Sequence, residues 1–136
     1  MKQTTKLVTV LLAGMSYLWF HFYAMGYNTQ NLSLHDSIPH LDKWEHFTVG
    51  AIISCLVITL TEKVTPRLRY MTIFSSVLFL AILFEVLEYW IPFNGQIFWG
   101  GLDDSVWDVI FGLLGTVMVI AFEVFRLHQI HNALEG

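Results

Sequence analysis

Residues Tyr70 to Ile91 read YMTIFSSVLFLAILFEVLEYWI, a largely apolar run whose only charged residues are Glu85 and Glu88 near its end. A helix needs about 20 apolar residues to cross about 30 Å of hydrocarbon, and this run has that length. The pattern recurs to either side, at Leu7–Gly26, Trp44–Thr61 and Ser105–Phe125. The expected fold class is therefore all-α: a four-helix transmembrane bundle with helices at 7–26, 44–61, 70–91 and 105–125. Short connections at 27–43, 62–69 and 92–104 complete it, with Pro92, Gly95, Gly100 and Gly101 breaking the helix in the last. A chain of 136 residues holds one domain. It is 55% hydrophobic and 13% charged, against about 25% charged in a soluble domain, so most of its surface is assigned to lipid.

The first run could instead be a signal peptide, since Lys2 and Lys6 precede it. Its apolar stretch is too long for that, and no small-x-small cleavage site stands before Trp19, Phe20, Phe22 and Tyr23. It is read as a retained helix. Orientation follows from the basic residues. Lys2, Lys6, Lys63, Arg67, Arg69 and Arg126 fall on one side of a four-span arrangement and only Lys43 on the other. The positive-inside rule then puts both termini in the cytoplasm (N-in/C-in) of a multi-pass protein of the bacterial inner membrane. Tyr27, Trp44, Tyr89, Trp90, Trp99 and Trp107 form the outer aromatic belt, and Tyr70 marks the inner interface.

The acids are segregated too. Asp36, Asp42, Glu45, Glu85, Glu88, Asp103, Asp104 and Asp108 map to the outer half, with His35, His40 and His46, and His21 approaches them. Asp42 and His46 are spaced i,i+4, Glu85 and Glu88 i,i+3, and Asp104 and Asp108 i,i+4, so each pair shares a helix face. Three helices thus offer oxygen and nitrogen ligands at one depth. Glu85 lies about 9 Å below Ile91, where a lipid-facing carboxylate is implausible. Lys43 alone does not balance so many acids; a divalent cation would. The expected ligands are Asp42, His46, Glu85, Glu88, Asp104 and Asp108, a donor set suited to zinc, manganese or iron. Glu85 or Glu88 is the expected general base.

Plainer roles compete. Asp42, Asp103 or Asp104 could cap helices, and Glu45 could be a solvated first-turn acid. His35 and His40 read as loop histidines in water, and His21 as an interfacial or interhelical hydrogen-bonder. Glu123 and Arg126 read as an exposed i,i+3 pair. Gly112 and Gly115 read as close-packing residues, and Cys55 as buried and inert. The chain has no phosphate-binding glycine loop, nucleophile elbow or H-E-x-x-H. No cytoplasmic stretch is large enough for a catalytic or nucleic-acid-binding domain.

DKWEHFTVG (Asp42 to Gly50) resembles the D-K-x-x-H-F opening of VanZ-like and YjdF-like bacterial membrane proteins. FEVLEYW (Phe84 to Trp90) is similar to Y-E-x-x-E-W-W of the YjdF-like group. DSVWDVIFGLLGT (Asp104 to Thr116) resembles that group's D-x-x-x-D-M run and the small residues after it. VanZ-like proteins tend to carry Gln at the place of Glu88, Asn at that of Asp108 and an Arg in the following loop, so the more acidic YjdF-like pattern fits better. The resemblance implies a compact helical membrane domain and singles out Asp42, His46, Glu85, Glu88, Asp104 and Asp108.

Three functions are compatible with these residues. One is a metal-dependent hydrolase or transferase acting on a phosphate-bearing lipid headgroup or another envelope component. The second is a non-enzymatic cation-binding or accessory membrane protein, such as a VanZ-like envelope or antibiotic-susceptibility factor, whose polar cluster is structural. A proton or cation pathway ranks below both, because it needs polar stations throughout the bilayer. The lipid bilayer is the expected partner, with no role for nucleic acid; oligomeric state is open.

Overall fold

The computed structural model describes residues 3–26, 40–90 and 101–136, with side chains from 4–20, 40–90 and 101–136. The described residues form four helices: α1 (Gln3–Gly26), α2 (Leu41–Leu60), α3 (Pro66–Trp90) and α4 (Leu102–Glu135). Among the described residues, α2, α3 and α4 are long and apolar enough to cross a membrane, and α1 carries a shorter apolar stretch, Thr4–Phe20. α3 opens on Pro66, at the end of a helix where a missing N–H costs nothing. α4 runs ten residues past the expected end at Phe125. Residues 126–135 contain neither Gly nor Pro, so nothing breaks the helix before Gly136. At 1.5 Å per residue its 34 residues measure about 51 Å, more than the roughly 30 Å of hydrocarbon.

Burial is inverted relative to a water-soluble bundle. Among the described residues, the buried hydrophobic side chains are Ile73 and Val77, whereas Lys43, Glu45, Ser54, Thr59, Arg69, Glu85, Ser105, Asp108, Thr116 and Glu123 are buried. Large apolar side chains such as Phe79, Met118 and Phe122 point outward. An exposed apolar surface this extensive fits a hydrocarbon solvent. Trp44, Tyr89, Trp90 and Trp107 are also exposed, as a headgroup-level belt requires.

α2 is the hub, packed against α1, α3 and α4; α3 also packs on α4, and among the described residues α2 is the helix whose backbone α1 packs against. The α2–α4 seam is built from small residues. A Cβ on Gly50 would lie 2.0 Å from the Gly112 carbonyl oxygen, and one on Gly115 would lie 2.1 Å from that of Phe47. The two backbones touch only because both positions are glycine. Lower in the seam, the buried Ser54 hydroxyl donates to Gly50 O at 2.7 Å and lies 3.1 Å from Thr116 Oγ1. The backbone carbonyl of the same helix thus satisfies the hydroxyl where water is absent.

A second polar group closes the opposite end. Arg69 donates to the carbonyl oxygens of Thr61, Glu62 and Val64 at 2.7–3.1 Å. It thereby satisfies acceptors left free where α2 ends. Its Nη1 lies 3.8 Å from Glu123 Oε1, while Arg126 donates to both Glu123 oxygens at 2.8 and 2.9 Å. Glu123 is therefore buried between two guanidinium groups rather than one half of an exposed pair; the sequence spacing gave Arg126 but not Arg69 from α3. Lys6 hydrogen-bonds Glu62, which brings the start of α1 to this end. The described basic residues Lys6, Lys63, Arg67, Arg69 and Arg126 accordingly gather at one end of the bundle, and Lys43 stands at the other.

Candidate cation site

The start of α2, the end of α3 and the start of α4 meet at the Lys43 end. Neither N-terminus uses an acid as its cap. His40 occupies that position before α2, at φ 60°, and Gly101 before α4, at φ 106°, and neither makes a side-chain cap hydrogen bond. Asp42, Asp103 and Asp104 sit inside the first turns instead, where negative charge is favourable. The capping roles weighed for them give way, and for two of them the reason is Lys43.

The Lys43 ammonium is buried among three carboxylates. It lies 2.9 Å from Asp42 Oδ2 and 2.7 Å from Asp108 Oδ1, and it also bonds Asp104. Charge-assisted bonds of this kind are roughly twice as strong as neutral ones. This α2–α4 clamp was not read from the sequence, which treated Lys43 as an outer base too weak for the task. Asp103 is exposed and outside it.

One turn deeper, His46 faces both neighbouring helices. Its Nε2 lies 3.7 Å from Asp108 Oδ1 on α4 and 4.0 Å from Glu85 Oε1 on α3. One donor atom from each of His46, Glu85 and Asp108 falls within 4.8 Å of the others, and the same holds for Asp42, Asp104 and Asp108. Around an ion bound at about 2.1 Å, ligand atoms lie roughly 3–4 Å apart. In the first group His46 meets that spacing toward both carboxylates, 3.7 and 4.0 Å, across α2, α3 and α4. The second group already surrounds Lys43, and Asp108 belongs to both.

Glu85 is 9% exposed. Its carboxylate takes a hydrogen bond from Ser105, yet Oε1 accepts none and is shut off from solvent. A buried carboxylate oxygen without a donor is expensive, and this one points toward His46. The Phe84 ring packs edge-on against the imidazole with centroids 5.8 Å apart, which fixes its plane. Glu88, one turn nearer the end of α3, is half-buried and lies outside both ligand groups. Of the six residues singled out in the sequence, five therefore fall into two overlapping groups and Glu88 stands beside them. His35 lies outside the described residues, as does the side chain of His21; His40 is exposed at the start of α2.

Glu45 departs from its expected place. It is 4% exposed, not a solvated first-turn acid, because α1 covers that face of α2. It borders a cavity of about 390 Å³ between α1, α2 and α3, which runs from Glu45, His46 and Leu87 down to Ile53 and Val77, with Tyr17 on the α1 side. Cys55 is half-buried and a free thiol.

A family model described as "Predicted membrane protein (DUF2238)" matches residues 4–129 of the chain. No curated protein and no solved structure gives a significant match.

Proposed function

Since the chain belongs to the DUF2238 family of predicted membrane proteins, we propose that it is a multi-pass protein that holds one divalent cation, zinc or manganese, between His46, Glu85 and Asp108. The carrying observation is Glu85 Oε1: a buried carboxylate oxygen with no hydrogen-bond donor, 4.0 Å from an imidazole that a second carboxylate also approaches. Charge supports the reading. Asp42, Asp104 and Asp108 crowd around one ammonium, which leaves Glu85, grouped with His46 and Asp108, without a cation of its own among the described residues, and a buried anion needs a compensating cation. One imidazole and two carboxylates suit a borderline metal better than calcium, which takes six to eight oxygens. In this reading the site lies on the periplasmic side of a bacterial inner membrane with both termini cytoplasmic, because the basic residues then face inward. The resemblance of residues 42–50, 84–90 and 104–116 to YjdF-like proteins agrees with it.

A cation with three protein ligands keeps positions open to substrate or water, as catalytic sites do. Its chemistry would be polarisation of a phosphoryl oxygen and a lowered pKa for bound water. Glu88, beside the ligand group rather than in it, is the group placed to accept a proton. The reaction class is hydrolysis or transfer at a phosphate-bearing lipid. The Lys43 clamp favours one other reading, in which the cluster only ties α2 to α4. Thermal unfolding of the detergent-solubilised protein separates the two. A ligand of the folded state at about 100 times its dissociation constant stabilises by roughly 2.7 kcal/mol. Zinc or manganese should give such a gain and chelator should remove it; melting curves indifferent to both leave the structural clamp.

A further inference from the structure

The cavity beside His46 has a shape that the cation site alone does not explain. It extends along the helices: on α3 its walls run from Leu87 to Val77, about 15 Å at 1.5 Å per residue. Spread over that length, the cavity volume of about 390 Å³ is a channel at least about 6 Å across, narrower than a helix. Its walls are almost wholly apolar, and its acidic and imidazole groups, Glu45 and His46, stand at one end. Water does not fill such a space, since each buried water needs two to four polar partners. Among the described residues the backbones of α1 and α3 do not approach each other, and the cleft lies between these two helices and α2. Its axis is that of the bilayer chains.

We infer that this cleft holds one acyl chain of a bilayer phospholipid, whose phosphate lies at the His46 end against the cation. The inference rests on the proposed cation site, because charge complementarity selects the phosphate. Without the ion this end presents Glu45, with Glu85 and Asp108 next to His46, and would repel an anion. A cation held there by three protein ligands would take an anionic oxygen as a further ligand. A second copy of the chain is a poor occupant, because a helix of about 10–12 Å is wider than this channel.

The test is native mass spectrometry of the detergent-solubilised protein titrated with phosphatidylglycerol, and separately with a diacylglycerol of the same chains. Metal content is measured on the same samples. Wild type should bind one phosphatidylglycerol at least about tenfold more tightly than the diacylglycerol, and chelator should erase that preference. Ala81→Trp fills the channel and should abolish binding of both lipids while the metal stays. Gly14→Leu fills it from α1 and should do the same if Ala81→Trp fails to fold. Leu78→Trp, on the exposed face of α3 and outside the cleft, should change nothing. Lipid bound equally by wild type and both filling variants overturns the inference, as does a phosphatidylglycerol preference that survives chelation. Wild type without metal overturns the cation reading, and the lipid-binding arm with Ala81→Trp then still decides the chain.

Discussion

Lys43 Nζ lies 2.7 Å from Asp108 Oδ1, the same oxygen that His46 Nε2 approaches to 3.7 Å. One carboxylate oxygen thus joins the α2–α4 clamp to the candidate ligand group. Removing one partner of a buried ion pair leaves the other uncompensated, at a typical cost of about 3–5 kcal/mol. Lys43→Met should therefore lower the unfolding free energy by about that much. Lys43→Met combined with Asp108→Asn should cost clearly less than the sum of the two single changes, since they share one interaction. Denaturant titration of the four proteins measures the coupling; simple additivity would mean that the clamp is not energetically real.

The α2–α4 seam makes a steric prediction. Gly50→Ala and Gly115→Ala put a Cβ within 2.0–2.1 Å of a backbone oxygen on the facing helix, so the helices must separate. Overpacking typically costs about 1–3 kcal/mol, and loss of the seam puts these two at or above the upper end. At Gly14 the added Cβ would stand 3.7 Å from Ile52, an ordinary contact, and Gly14→Ala should be near neutral. Thermal melts in one detergent rank the three.

Glu62 carries a pH dependence. The Lys6 ammonium bonded to it holds its carboxyl below the usual carboxylate range, with Arg69 and Arg126 adding to the effect. A lowered folded-state pKa stabilises the fold above the unfolded value of about 4.3, and the contribution is lost as pH falls through the folded-state value. Wild type should thus be more stable than Glu62→Gln near pH 7, and the difference should vanish at lower pH. The pair is partly exposed, so raised salt should shrink the difference at neutral pH. A difference that persists unchanged in acid would assign it to packing instead.

The sequence carried the helices and the depth of the acids, because apolar run length and i,i+4 spacing are local properties. It carried less of what depends on how helices rotate against each other. Gly112 and Gly115 were legible as packing residues, yet Gly50, which makes the same contact from α2, was not. Lys43 read as a lone outer base because nothing in its own helix shows that α4 brings Asp104 and Asp108 to it. Glu45 and Glu123 read as solvated for the same reason; α1 covers one and Arg69 of α3 meets the other. Helix caps were misplaced by two or three residues, since His40 and Gly101 enter their helices through positive φ rather than through an Asp side chain. The extension of α4 to Glu135 was missed because the reading followed hydropathy, which ends at the membrane surface, whereas helix propensity does not.

Cation binding and proton uptake should oppose each other. Metal ligands bind in their deprotonated forms, so the thermal stabilisation given by zinc or manganese should shrink from pH 8 to pH 5. Asp108→Asn should abolish the gain at every pH. Glu135→Gln, on the exposed end of α4, should leave it intact.

The central claim is tested most directly by elemental analysis of protein purified without chelator, comparing wild type with Glu85→Gln and His46→Ala. The account predicts about one zinc or manganese per wild-type chain and well below half of that in either variant, with Glu135→Gln matching wild type. Folded wild-type protein that carries no divalent metal, or metal retained in full by both ligand variants, would contradict it.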